Sequence, residues 1–270
     1  MEKIVNFCPN GSEPTKENSL APIFTNEIID EVCRAYDENL ITLVHIHARD
    51  KNGKPSSKVE DFAPIIEGLR KYCPDLVICA SLSGRYDNTF ESRSEVLDLK
   101  PDMGSLTMSS WNYRTGVNIN PPNTILKLTE RMNELNIVPE IECFDAGMLN
   151  YTNHLISKGL LKGPFYINMI LGNLSNAQAD EISVDYIMNY KPKDSYLSLG
   201  GIGKNQFKVF PFIEKVDGIR LGLEDNIHDE NGNKTTNNYL LHKFKELNYQ
   251  IKSPIEFKKW LKNDNSIRKI

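Results

Sequence analysis

Two histidines separated by one residue, His45 and His47, follow directly on the run Ile41-Thr42-Leu43-Val44. Residues i and i+2 of a β-strand share a face, so a strand ending here presents both imidazoles to one point. Such a pair is either a set of metal ligands, with zinc favoured by imidazole ligation, or two hydrogen-bonded structural groups. A third ligand decides between them. The segment Gly218-Ile219-Arg220-Leu221-Gly222-Leu223-Glu224-Asp225 offers one, because alternation places Arg220, Gly222 and Glu224 on one face and Asp225 just past the strand's end. Two histidines and one carboxylate leave a coordination position open, which is a catalytic zinc pattern. The competing reading pairs Arg220 with Glu224 as a buried ion pair.

Other polar pairs share the i, i+2 spacing: Ser81 with Ser83, Ser105 with Thr107, and Glu140 with Glu142. Singly, each reads as inward-facing filling. Together they would line one mouth, where hydroxyls hold a carboxylate and carboxylates hold a metal, an amine or a proton. The stretch Gly200-Gly201-Ile202-Gly203-Lys204 is either a flexible turn or a phosphate cradle.

Elements must bring these groups together. Short apolar runs at 4–8, 41–47, 76–82, 103–108, 138–144, 165–171, 196–202 and 218–223 predict eight strands. Helical spacing occupies 26–36, 59–72, 124–135, 177–190 and 238–247, and Ser253-Pro254 reads as a further helix start. Eight alternations without a linker predict one (β/α)8 TIM barrel over 1–270, a single domain, with an open doubly wound sheet as the fallback. Glycine-rich nucleotide signatures are missing, which weakens the fallback. The long polar stretches 9–25, 112–123 and 226–237 each follow a strand, so in a barrel they rise from the C-terminal face, where barrel enzymes keep their chemistry.

A net charge of -4 with no basic stripe argues against nucleic acid and anionic membranes as partners and for a small molecule. The five cysteines, Cys8, Cys33, Cys73, Cys79 and Cys143, have no CxxC spacing and read as free thiols in a reducing, intracellular setting. With no signal peptide pattern and no spanning stretch, a cytoplasmic location is expected.

Six segments carry a resemblance to a known family. They are Asn10-Gly11-Ser12-Glu13-Pro14-Thr15-Lys16-Glu17; His45-Ile46-His47-Ala48-Arg49-Asp50 with Gly53-Lys54-Pro55; Ser81-Leu82-Ser83-Gly84; Pro139-Glu140-Ile141-Glu142-Cys143-Phe144-Asp145; Gly201-Ile202-Gly203; and Arg220-Leu221-Gly222-Leu223-Glu224-Asp225-Asn226. In order, and over nearly the whole chain, these resemble the β-keto acid cleavage enzymes. The resemblance implies a zinc-containing (β/α)8 barrel that exchanges a β-keto acid and acetyl-CoA for acetoacetate and an acyl-CoA, as a homotetramer. It implies that His45, His47 and Glu224 bind Zn2+, that Arg220, Ser81 and the backbone around Gly84 hold the substrate carboxylate, and that Asp225 is the base. Glu13 and one of Glu140 and Glu142 would surround the substrate's far end and the base. Ser83, Ser105 and Thr107 complete the expected mouth.

One departure stands out. Where family members show Gly-Gly, this chain has Gly84-Arg85. Arg85 either meets an additional anionic group on the substrate or points outward to a nearby aspartate. Two other functions compete. A metal-dependent barrel hydrolase would recruit further histidines, and those available are His154, His228 and His242, none at a predicted strand end. A non-catalytic metabolite-binding barrel would have no use for a general base. No short motif marks the CoA contacts, for which Lys204 and Lys234 are the candidates.

Overall fold

The computed structural model describes residues 2–114 and 116–263. Eight parallel strands follow one another around a ring: Glu2–Phe7, Leu43–Ile46, Val77–Ala80, Met103–Thr107, Val138–Cys143, Phe165–Leu171, Ser195–Gly201 and Gly218–Leu221. The eighth pairs back onto the first, Ile4 opposite Gly218 and Phe7 opposite Leu221, so the sheet is a closed (β/α)8 barrel. A two-residue strand, Gln250–Ile251, extends the sheet beside Glu2 and Lys3.

The outer faces of the strands are mostly apolar because helices cover them; Lys3 and Ser195, near strand starts, are buried polar exceptions. The inward positions change character along each strand. At the N-terminal end Ile4, Leu43, Val77, Met103, Val138 and Tyr166 form one apolar cluster, plugged from below by Phe257 and Leu261 of the last helix, Pro254–Asn263. Two residues further along, the inward positions are Asn6, His45, Cys79, Ser105, Glu140, Asn168, Ser198 and Arg220, and all are buried. Period two thus converts a greasy floor into a polar layer just below the C-terminal mouth.

Beside shifts of one or two residues at other helix ends and the unexpected short helices Phe90–Ser94 and Asn205–Lys208, three differences from expectation stand out. The helix expected over 177–190 begins at Glu181, because the Asp180 side chain caps it by accepting from Ser183 N at 2.8 Å. Ala177 instead donates its backbone N–H to Phe144 O. A helix at Ala146–Ser157 escapes periodicity because Thr152 interrupts its buried stripe of Met148, Leu149 and Leu155; Asp145 caps it. The polar stretch after the fourth strand is an antiparallel hairpin, Trp111–Tyr113 with Gly116–Asn118, and the following helix starts early, at Pro122. Among the described residues, no helix is long and apolar enough to cross a membrane.

Candidate active site

The imidazoles of His45 and His47 meet at the mouth with their Nε2 atoms 3.3 Å apart. Glu224 Oε1 stands 3.1 Å from His47 Nε2, and Oε2 stands 3.9 Å from His45 Nε2. Glu224 Oε2 is buried with no hydrogen-bond partner, a costly arrangement for a carboxylate oxygen. Ligand atoms of all three residues lie within 4.8 Å of one another. A divalent cation at their junction would satisfy the orphaned oxygen and both nitrogens together, so the donor set fits a metal, and its imidazole and carboxylate composition suits zinc.

His45 is held from behind. Its Nδ1 lies 2.5 Å from Glu140 Oε2, which also receives the Cys79 thiol proton at 3.0 Å, while Glu140 Oε1 accepts from Asn6 Nδ2 at 2.5 Å and Asn168 Nδ2 at 2.6 Å. Burial alone would raise the Glu140 pKa, but His45 outweighs it and holds it at about 2. Burial likewise opposes charge on His45, yet Glu140 with Glu224 lifts its pKa to about 9. For His47 burial prevails over Glu224 and its pKa falls. With Nδ1 committed to Glu140, His45 Nε2 is left for a ligand role, the carboxylate–histidine–metal arrangement. Glu140→Gln is therefore expected to weaken binding of a divalent metal by about 10- to 100-fold, read by competition with a chromogenic chelator. An unchanged affinity would remove Glu140 from this role.

Arg220 occupies the centre of the acidic cluster. Its Nε donates to Asp225 Oδ2 at 2.7 Å, Nη1 to Glu142 Oε1 at 3.1 Å, and Nη2 lies 2.8 Å from Glu224 Oε1. The ion-pair reading of Arg220 and Glu224 and the ligand reading of Glu224 thus describe the same carboxylate, whose Oε1 faces both groups. Thr107 Oγ1 donates to Glu142 Oε2 at 2.8 Å, fixing that carboxylate from the other side. Burial raises the Asp225 and Glu142 pKa values despite Arg220 beside them, whereas for Glu224 Arg220 and the histidines overcome burial and hold it well below the usual range.

Glu224 reaches the histidines by a turn, not by strand alternation. The eighth strand ends at Leu221, and Gly222 at φ +145° bends the chain so tightly that a Cβ there would lie 2.0 Å from Cys8 O. Asp225 N and Asn226 N then bond back to Gly222 O, and Glu224 N to Cys8 O. On the opposite side Gly11, at φ +62°, lies so close that a Cβ would meet Glu224 Cγ at 2.5 Å.

The remaining expected residues divide between the mouth and its supports. Ser81, Ser83, Arg85, Thr107 and Glu142 line a narrow pocket with the metal-ligand set, Arg220 and Asp225. Beyond Arg85 the pocket opens into a cavity of about 760 Å³ that Glu13, Trp111, Tyr113 and Lys204 also line. His47, Ser81 and Ser83 also border a second cavity of about 530 Å³. Ser105 lies underneath, its Oγ accepting from Leu82 N at 2.9 Å, and Glu140 lies below the pocket behind His45. Gly84 permits close packing, for a Cβ there would sit 2.3 Å from Ile119 O. Among the described residues, the groups able to hold a metal include no histidine other than His45 and His47. His242 pairs with Glu38 on the outer surface, and Lys234 donates to Glu17 O. Asn6, Asn10, Asn168 and Cys79 escaped the sequence reading. Asn10 clamps His47 through both backbone groups, giving Nδ2 to His47 O at 2.8 Å and accepting from His47 N at 3.2 Å.

Fold and site together define a (β/α)8 barrel enzyme with a metal-competent His-His-Glu cluster at its C-terminal mouth. The chain belongs to the beta-keto acid cleavage enzyme family, whose profile matches residues 3–261. It is 30% identical to the 3-keto-5-aminohexanoate cleavage enzyme of Acetoanaerobium sticklandii over 236 residues, 86% of each chain. It is 32% identical to the 3-oxoadipate:acetyl-CoA acetyltransferase of Cupriavidus necator, covering 83% of this chain and 80% of that protein. Among solved structures, apo ObcA superposes with a TM-score of 0.74 at 16% identity, which bears on the fold; the match covers 88% of this chain and 64% of ObcA.

Proposed function

We propose that this chain, as one barrel unit, condenses a β-keto acid with acetyl-CoA in a zinc-dependent reaction and, by retro-Claisen cleavage, yields acetoacetate and an acyl-CoA. The observation that carries this reading is the convergence of His45, His47 and the orphaned Glu224 oxygen beside an Asp225–Arg220 pair. Zinc held by those three ligands would supply Lewis acidity to polarise the keto carbonyl and acidify the neighbouring C–H. Asp225, aligned by Arg220, takes the C2 proton. Ser81 and the backbone at Gly84 hold the C1 carboxylate, aided by Arg220. The C2 carbanion attacks the acetyl thioester and expels the CoA thiolate. That thiolate adds to the original ketone carbon, the C2–C3 bond breaks, and Asp225 returns its proton to the departing acetoacetate carbanion. Ser83 and Thr107 hydroxyls donate to the oxyanions formed at each addition.

The cavity of about 760 Å³ provides room for the thioester arm, with Lys204 on its wall for a CoA phosphate. Homotetrameric assembly and a cytoplasmic location belong to the same proposal. Incubating the zinc-loaded protein with a panel of β-keto acids and acetyl-CoA is expected to yield acetoacetate and the matching acyl-CoA by mass spectrometry. Hydrolysis of esters or lactams without CoA, with no acetoacetate from any keto acid, would replace this reading with a barrel hydrolase.

A further inference from the structure

Five described arginines surround the mouth and its cavity; Arg114 is exposed on the wall of the larger cavity, outside the narrow pocket, and three of the other four are held by protein groups. Arg220 meets three carboxylates. Arg93 bonds Leu82 O, Ile119 O and the Asn120 side chain, and Arg49 bonds the carbonyls of Gly11, Pro14 and Gly53. Arg85 is different. Among the described residues, its guanidinium has one long hydrogen bond, to Ser12 Oγ at 3.4 Å, and one loose ion pair, to Glu13 Oε1 at 3.7 Å. It nevertheless points inward. Its side chain is 18% exposed and lies over the hairpin rings, with Cζ 4.7 Å from the Tyr113 centroid and 5.3 Å from that of Trp111. It borders both the narrow pocket around the metal-ligand set and the larger cavity beyond.

We propose that Arg85 anchors a second carboxylate at the far end of the β-keto acid, making β-keto dicarboxylic acids the preferred substrate class. This rests on the cleavage reading given above. A guanidinium lying over aromatic rings keeps its planar fork in one orientation, suited to a bidentate carboxylate. The Glu13 carboxylate is the competitor for that fork. It is 45% exposed and accepts from the Tyr86 hydroxyl at 3.0 Å, so it has a second partner to retain when an incoming carboxylate takes Arg85. With Arg85 beside it, Glu13 is also partly neutralised as a receptor for a cationic tail. The narrow pocket holds the reacting end, and Arg85 lines that pocket at its border with the larger cavity, within reach of the tail of a substrate seated there.

The test compares 3-oxoadipate with 3-oxohexanoate, which have equal carbon number and differ in tail charge. Arg85→Met, which keeps an apolar stem against Trp111, is expected to lower the ratio of their kcat/KM values by about 10- to 100-fold, the scale of a hydrogen-bonded charge. Glu13→Gln, which removes the competing carboxylate, is expected to raise the same ratio. Calorimetric titration with adipate and hexanoate, on the zinc-loaded protein and both variants, measures the same preference without turnover. An unchanged ratio in Arg85→Met by both measurements overturns the proposal, as does a raised KM for acetyl-CoA with the ratio unchanged, which would give the guanidinium to a CoA phosphate. Absence of turnover together with shifted binding ratios would instead refute the cleavage reading and leave the anchor in place.

Discussion

On the proposed reaction, Asp225→Asn is expected to lower kcat by about 10²- to 10⁴-fold, the usual contribution of a positioned general base, while metal binding stays at the wild-type level. The amide keeps the shape of the carboxylate and its hydrogen bond from Arg220 Nε, now 2.7 Å to Oδ2, but cannot accept the C2 proton. Because Asp225 contributes no atom to the His45, His47 and Glu224 set, metal content separates base from ligand. Glu224→Gln supplies the contrast, since it removes the charged ligand and should release the metal as well as the activity. Exchange of the C2 protons for deuterium in the absence of acetyl-CoA gives a second readout. An Asp225→Asn protein that still exchanges them at the wild-type rate would assign the base to another residue.

Arg220→Met is expected to be the most destabilising single change at the mouth. The side chain is 2% exposed and is the shared counterion of Glu142, Glu224 and Asp225, whose side chains are 10%, 13% and 4% exposed. Removing one partner of a buried pair costs about 3–5 kcal/mol because the remaining charge is left uncompensated. For a chain of this size that corresponds to a fall in melting temperature on the order of 10 °C. Adding Glu142→Gln to Arg220→Met should recover part of the loss by deleting one of the stranded carboxylates. Melting of the single variant within about 2 °C of wild type, less than 1 kcal/mol, would show that Arg220 orients these carboxylates without stabilising the fold.

The barrel was readable because its code is redundant. Eight apolar runs, each buried on both faces, gave strand positions to within two or three residues at each end, and the sixth, Phe165–Leu171, coincides with its run. His45 and His47 were legible from local geometry alone, since the strand ends at Ile46 but two residues so close in one extended segment need no knowledge of the rest of the fold. Glu224 was identified with the wrong local geometry. Alternation past Leu221 pointed to it, but the chain had already turned at Gly222, which packs against Cys8, the residue that follows the first strand. Asn6, Asn168 and Cys79 were invisible for a related reason. Each looks like ordinary inward filling in its own segment and acquires a role only when the ring closes and all three reach Glu140. The helix after the fifth strand was hidden by Thr152, whose hydroxyl bonds Met148 O and so occupies a core position without an apolar side chain.

The ring closes between its first and last strands, with Asn6 opposite Arg220, and the candidate metal-ligand set straddles that junction: His45 comes from the second strand, His47 from the residue just past its end, and Glu224 from the turn after the eighth. A cation held there is a clasp over the seam of the barrel. During synthesis the two histidines emerge long before Glu224, so the full ligand set does not exist until the final strand has docked beside the first. Loading would therefore be a late event in maturation, and it would favour the closed ring over any state in which the last strand has peeled away, by mass action on the complete site. Occupancy would then report that the two ends of the sheet have met.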